Sequence, residues 1–549
     1  MKLYCLSLIL FSQLNWLPGN AQLKTGSAAP IVNTESGRVQ GTTSNPAGLS
    51  VYKGIPYAQP PVGPFRWKAP QPLQAWDTVL KANRFGPRAM QANVFGDMNF
   101  RSNGMSEDCL YLNIWAPAQP SKLKRPVLVY YYGGGMVAGD GSEGRYDGES
   151  MARKGIISVT VNYRLGVFGL LAHPELSKEA PYHASGNYTL LDQQAALAWV
   201  KKNIAAFGGD PDRITIAGES AGSISVSALM ASPLSKDLIN GAIGESGAMI
   251  FPTMPPASKE DAEKNGVAFA TAIGASSLEA LRAIPAEELL RRASGPGMPP
   301  LSTNVDGYVL PKKPAEIFAA GEQAHVPLLV GWNSAELPYR ALLWKDDPTP
   351  ENYARKIKEL YPQDAEEVLR LYPGHTKEEV IASATDLASD RFIVYSTWKW
   401  AALQLSTSQQ PVYRYIFSRS RPPMVPKMGN AQPGLAGGVI KTSASQSAKP
   451  KPAETFKGAP HAAEIEYALG NLRLNEVYAW TKDDYVVSNT MLNYFANFIK
   501  TGNPNGGSLP KWEADAVGRS RYMNIDLRSS LQQEKHGERY QFLDKAFKQ

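Results

Sequence analysis

Through the first half of the chain, strand-length apolar runs alternate with helix-length amphipathic ones. Residues 126–132 and 156–163 are β-rich runs dominated by Val, Ile, Leu, Thr and Tyr, the pattern of strands buried on both faces. Ala196, Leu197, Val200 and Ile204 then recur at helical spacing, which predicts a helix over 192–204 stopped by Gly208 and Gly209. Residues 212–217 read as the strand that follows, and 326–331 and 412–417 as later strands. Such alternation predicts a mainly parallel sheet with helices on both faces. The segment 421–458 breaks the pattern with Pro, Gly, Ser, Ala and Lys and reads as a long loop, and no internal repeat is visible.

One junction in this pattern carries chemistry. Gly218-Glu219-Ser220-Ala221-Gly222 lies between the strand 212–217 and an apolar helix over 223–230. A G-x-S-x-G at a strand-to-helix turn presents the serine hydroxyl on a sharp bend that its glycines permit, with helix amides aimed at the same point. The nearest rival, Gly244-Glu245-Ser246-Gly247-Ala248, fails at its last position.

Length and composition then bound the rest. The 549 residues would suggest about three domains, but no linker divides the chain, so one large domain over 22–549 is expected after an N-terminal segment 1–21. That segment has Lys2, an apolar stretch from Leu3 to Phe11 and Gly19-Asn20-Ala21, and reads as a secretory signal cut before Gln22, implying a secreted or periplasmic protein. No later run reaches the roughly 18 apolar residues of a membrane span. Charged residues are 19% and the net charge is +7 with scattered lysines and arginines, which argues against nucleic acid as a partner. Of two cysteines, Cys5 falls in the signal, so Cys109 has no internal partner; its surroundings, 107–115, read as a buried strand.

The serine needs a base, an acid and an oxyanion hole. Gly133-Gly134-Gly135 follows the strand 126–132, where bare backbone amides can approach a ligand oxygen, and Gly134 and Gly135 with Ala221 are the candidate donors. A phosphate cradle is disfavoured because no G-K-[ST] follows. Among His173, His183, His325, His375, His461 and His536, composition does not choose; His461 stands out in the tight segment Gly458-Ala459-Pro460-His461. Glu336 follows the strand 326–331. The order Ser220, Glu336, His461 is that of an α/β-hydrolase triad.

Several motifs in order now resemble the type B carboxylesterase/cholinesterase family. They are Gly54-Ile55-Pro56-Tyr57-Ala58, Pro60-Pro61-Val62-Gly63, Ser106-Glu107-Asp108-Cys109, Asn162-Tyr163-Arg164, the elbow at Ser220, and Tyr494-Phe495-Ala496-Asn497-Phe498 with Thr501-Gly502-Asn503-Pro504-Asn505. The resemblance implies an α/β-hydrolase fold, with a large mostly parallel sheet, helices on both faces and long insertions forming a gorge. It implies a serine carboxylesterase with Ser220 as nucleophile, His461 as base, Glu336 as acid, and Gly134, Gly135 and Ala221 as oxyanion donors, needing no cofactor and no metal. The expected partner is a small-molecule ester, and the expected state a monomer or weak homo-oligomer. Arg66 with Glu107 and Arg164 with Asp192 are expected as structural ion pairs, and Ser246 in a network behind the triad. Glu219 is expected either to tune the site or to anchor the turn.

Departures from the family narrow the substrate. Met136 stands where members carry Phe and is expected to give the site a softer wall. No Trp occurs in Gly96-Asp97-Met98-Asn99-Phe100-Arg101, where cholinesterases hold a quaternary ammonium, although Phe100 is a partial substitute. Simple esters are therefore favoured over choline esters, with a bulky natural ester or a polyester as the alternative. Lys427, Lys441, Lys449, Lys451 and Lys457 give the long loop a basic character, for which a solvated surface is favoured over reception of an acidic substrate group. A non-catalytic binding role, as in relatives that have lost the nucleophile, is disfavoured by the intact triad.

Overall fold

The structure is a computed structural model that describes residues 28–44, 48–117, 123–440 and 458–547. The signal-like segment and Lys441, Lys449, Lys451 and Lys457 lie outside the described residues.

A thirteen-stranded sheet organises the chain. Its centre runs Ile157–Val161, Arg125–Tyr131, Gly209–Glu219, Gly241–Glu245, Leu328–Asn333, Val412–Phe417 and Arg521–Ile525, all parallel to their neighbours. Antiparallel strands close both ends: Ala28–Thr34, Gly37–Ser44, Leu49–Pro56 and Tyr111–Pro117 on one side, Ser530–Gln533 on the other. Every residue of Ile157–Val161, Gly241–Glu245 and Leu328–Asn333 is buried, as continuous apolar or small runs covered on both faces require.

Several elements fall a few residues from their expected bounds. The helix is Tyr188–Asn203, prolonged by a 3₁₀ turn that ends at Gly208 with φ 85°. The strand leading to the elbow is longer than expected, Gly209–Glu219. The strand expected over 107–115 is Tyr111–Pro117, so Cys109 precedes it; the thiol is free and buried, and burial pushes its pKa well up. That makes it unreactive as a nucleophile. The described part of the long segment is not structureless: Pro426–Met428 forms a 3₁₀ turn, and Gln432–Pro433 pairs with Val439–Ile440 as a small ribbon.

Sheet order fixes the position of the site. The chain passes from Arg125–Tyr131 outward to Ile157–Val161, then returns to the opposite side as Gly209–Glu219. At such a reversal the loops leaving neighbouring strands splay apart and open a crevice at their carboxyl ends. Gly218 pairs with Tyr131 in register, so the elbow and the triple glycine leave the sheet side by side. Two apolar clusters stand apart from the one that contains the sheet strands, one including Phe168, Leu191 and Leu310, the other Tyr353, Leu387 and Leu543.

The expected ion pairs are present. Arg66 donates from Nε and Nη2 to Glu107 at 2.6 and 2.5 Å, and its Nη1 reaches the carbonyl of Ile284 at 2.7 Å. Arg164 clamps Asp192 from Nε at 2.8 Å and Nη2 at 2.6 Å. Both pairs are bidentate, which satisfies buried charges that would otherwise be costly.

Candidate active site

At the elbow, steric constraint shapes the backbone. Ser220 has φ 54° and ψ −121°, a conformation that costs a non-glycine residue about 1–3 kcal/mol. It persists because the surroundings leave no alternative. A Cβ on Gly222 would lie 2.0 Å from the Tyr131 carbonyl oxygen, and one on Gly218 would lie 2.5 Å from the Gly222 carbonyl carbon. The Ser220 amide donates to the Glu245 carbonyl at 2.9 Å, and helix Ala221–Ala231 starts immediately after it.

The structure brings the three expected side chains together from distant parts of the chain. His461 Nε2 lies 2.9 Å from Ser220 Oγ, and His461 Nδ1 lies 2.6 Å from Glu336 Oε2. The other Glu336 oxygen accepts from the Asn333 amide at 2.7 Å and from the Ser246 hydroxyl at 2.6 Å. Main-chain bonds tie the acid and base loops: the His461 amide donates to the Glu336 carbonyl at 3.2 Å, and the Ala335 amide to the Ala459 carbonyl at 3.0 Å. Phe392 meets the imidazole edge to face, 5.1 Å between centroids. His173, His183, His325, His375 and His536 are absent from the lining of the cavity.

Ser220, His461, Gly134 and Gly135 open onto one cavity of about 230 Å³. Its other walls are largely apolar, with Phe95, Met98, Ile224, Phe392, Ile393 and Leu435. Gly134 has φ 113°, and a Cβ there would fall 2.2 Å from the Ala138 carbonyl oxygen, so the loop holds its shape only with glycine. Ala221 is the first residue of the elbow helix and is buried.

Two expectations about the walls do not hold. Met136 does not line the cavity; it is buried in the same apolar cluster as Ala221 and Ile224, and Met98 supplies the thioether on the wall instead. Phe100 is likewise not on the lining, and its ring is taken by the Arg88 guanidinium 4.7 Å away.

Buried acids gather near the histidine. Glu219 Oε1 is 3.4 Å from His461 Nε2, and Glu464 Oε2 accepts from Asn333 Nδ2 at 2.5 Å. Glu245 accepts from the Tyr130 hydroxyl at 2.9 Å. Burial pushes the Glu219 carboxyl up to about 6 against the pull of His461 and Arg145. Burial and the charges of Glu219 and Glu336 push Glu464 up to about 8. Burial alone would lower the His461 imidazole, but Glu219 and Glu336 favour its charged form and bring it up to about 9. Glu464 had a positional signal, three residues after His461; Asn333 and Phe392 had none, because their roles arise only from packing.

Comparison with known proteins identifies the relatives of the chain. A family model described as the carboxylesterase family matches residues 28–543. The chain is 35% identical over 454 residues to a fumonisin B1 esterase of Sphingopyxis macrogoltabida, covering 76% of this chain and 80% of that protein. It is 34% identical to a para-nitrobenzyl esterase of Bacillus subtilis (strain 168), covering 93% and 98%. A solved para-nitrobenzyl esterase structure superposes with TM-score 0.72 at 34% identity, covering 93% of this chain and 99% of that one. A solved carboxylesterase of Geobacillus stearothermophilus does so with TM-score 0.74 at 31% identity, covering 93% and 99%.

Proposed function

The chain belongs to the carboxylesterase family of α/β-hydrolases and is a carboxylic ester hydrolase, and from that premise we propose that Ser220, His461 and Glu336 perform the hydrolysis. Ser220 Oγ attacks the ester carbonyl while His461 Nε2 takes its proton. Glu336 holds the imidazole by Nδ1 and stabilises the cation that forms. The amides of Gly134, Gly135 and Ala221 receive the oxyanion. His461 then returns the proton to the departing alcohol, leaving Ser220 acylated. Water, deprotonated by His461, attacks the acyl group and the acid leaves.

The observation that carries this reading is the unbroken chain of hydrogen bonds from Ser220 through His461 to Glu336 at the floor of the cavity. The cavity's apolar walls suit uncharged parts of short or medium-chain esters. Ser220→Ala should lower kcat for 4-nitrophenyl butyrate by about 10⁴–10⁶ and abolish labelling by a fluorophosphonate. Hydrolysis by the folded variant at the parent rate would end the proposal. A binding protein would remain unlabelled even with Ser220 in place.

Export is the accompanying proposal: 1–21 is removed and 22–549 folds as one domain, as a monomer or weak homo-oligomer. No helix of the described residues is long and apolar enough to cross a membrane. N-terminal sequencing of the exported protein should begin at Gln22; a retained Met1 would argue for an anchor instead.

A further inference from the structure

A second cavity lies against the catalytic one and takes no part in the hydrolysis just described. It holds about 380 Å³, against about 230 Å³ around Ser220, and Arg145 and Ala436 line both. The two differ in chemistry. Apolar side chains wall most of the first, whereas Asp97, Asn99, Arg101, Glu143, Glu466 and Asn475 line the second. Close packing holds the shared wall in place. A Cβ on Gly434 would collide with the Asp97 carboxyl and one on Gly438 with the Asp97 carbonyl, and the Gly438 amide donates to Asp97 Oδ2 at 3.1 Å. Lys427, Asn475 and Glu476 continue from this chamber into an open groove that also carries Tyr478, Trp480 and Tyr485.

The cations of this chamber already have partners. Arg101 donates to Asp147 at 2.9 Å and Lys427 to Glu476 at 3.0 Å, while Arg145 lies 3.3 Å from Glu143. Glu466 is held by Arg421 at 3.1 Å. An ionic ligand would have to displace a partner, and in the buried pairs that strands a charge. A hydroxyl group displaces nothing: it donates and accepts at once, and a carboxylate or ammonium already in a pair keeps lone pairs or N–H groups for it. Asn99, exposed in the chamber, adds an amide that does both. Beyond it Trp480 is half-buried and Tyr485 is exposed, rings whose flat faces suit the C–H face of a pyranose. We propose that the chamber and groove form a subsite for a neutral glycosyl group, so that this esterase prefers esters whose acyl or alcohol part carries a sugar over the same esters without one. The proposal rests on the esterase reading above. The apolar cavity takes the ester and its hydrocarbon part, and the sugar lies beyond Ala436, whose short side chain obstructs the crossing least.

The test compares 4-acetoxyphenyl β-maltoside with 4-methoxyphenyl acetate on the full-length protein, a pair that shares the acyl group and the type of leaving phenol. The readout is the ratio of kcat/KM, glycosylated over plain. In the parent that ratio should exceed one, and in Asn99→Ala and Tyr485→Ala it should fall about 3- to 10-fold, mainly through KM, as loss of one hydrogen bond or one ring contact implies. Ala436→Phe, which thickens the shared wall, should lower it further. The ester-free 4-methoxyphenyl β-maltoside should inhibit maltoside hydrolysis competitively in the parent, and 1,4-dimethoxybenzene should do so far less. A parent ratio at or below one would overturn the proposal, as would a ratio unchanged in all three variants or equal slowing of both esters. Should Ala436→Phe fail to fold, the two surface variants decide. Such an outcome leaves hydrolysis of the plain acetate and the esterase reading intact, whereas parent-level hydrolysis by Ser220→Ala would overturn that reading by itself.

Discussion

The two sides of the catalytic cavity are built by different means. On the serine side, five consecutive residues do most of the work: Gly218 and Gly222 permit a turn that the Tyr131 carbonyl and the following helix enforce. On the histidine side, the groups come from segments far apart in sequence, with Glu336 and His461 separated by 125 positions and joined by side-chain and main-chain bonds. The first side is held by steric exclusion and the second by charge. Steric exclusion tolerates no added atom, while a charge network can lose a member and shift its titration instead.

Four substitutions test that contrast, beginning with the largest effect. His461→Ala should lower kcat by about 10⁴–10⁶ on 4-nitrophenyl butyrate, with the melting temperature changed by no more than a few degrees. A collapse of the fold would show that the imidazole is a structural keystone as well as a base. Glu336→Gln should cost about 10⁴ in kcat, because a neutral amide cannot hold the imidazolium. Circular dichroism should be unaltered; a rate near the parent's would mean that Glu219 can take over as the acid.

Gly222→Ala should behave differently. The new Cβ would meet the Tyr131 oxygen at 2.0 Å and the Tyr132 oxygen at 2.9 Å, so backbone must move. Loss of about 1–3 kcal/mol of stability is expected together with loss of activity, read by denaturant unfolding and by assay on the same preparation. Unchanged stability would contradict the claim that packing holds the elbow.

Glu219→Gln should be mildest in rate and clearest in pH dependence. The neutral imidazole is the base, and the nearby carboxylate raises its pKa, so activity is lost as pH falls through that raised value. Removing the charge lowers the His461 pKa, and the acid limb of kcat/KM should move down by about one pH unit. A limb that stays in place would assign Glu219 to the turn rather than to the electrostatics.

The strand-and-helix alternation was readable because buried parallel strands demand unbroken apolar runs, and Val412–Phe417 appears within its expected bounds. Element ends were less legible: the strand after Cys109 starts at Tyr111, since main-chain pairing and not hydrophobicity sets where a strand begins. The pairs Arg66 with Glu107 and Arg164 with Asp192 were anticipated from family resemblance, and both are formed. Expectations about the walls fared worse. Whether Met136 or Met98 faces substrate depends on loop direction, and nothing in local sequence encodes it.

Local sequence alone determined the elbow, because its requirement is for residues without a side chain within five consecutive positions. It also sets Ser220, Glu336 and His461 in the order proposed here for nucleophile, acid and base. Tertiary structure alone decided that Glu219 and Glu464 surround His461 closely enough to move its proton. It likewise decided that Arg145, with His461, pulls on the Glu219 carboxyl. Coulombic coupling and desolvation depend on distance and burial in space, and residues far apart along the chain acquire both only when the sheet brings its loops together.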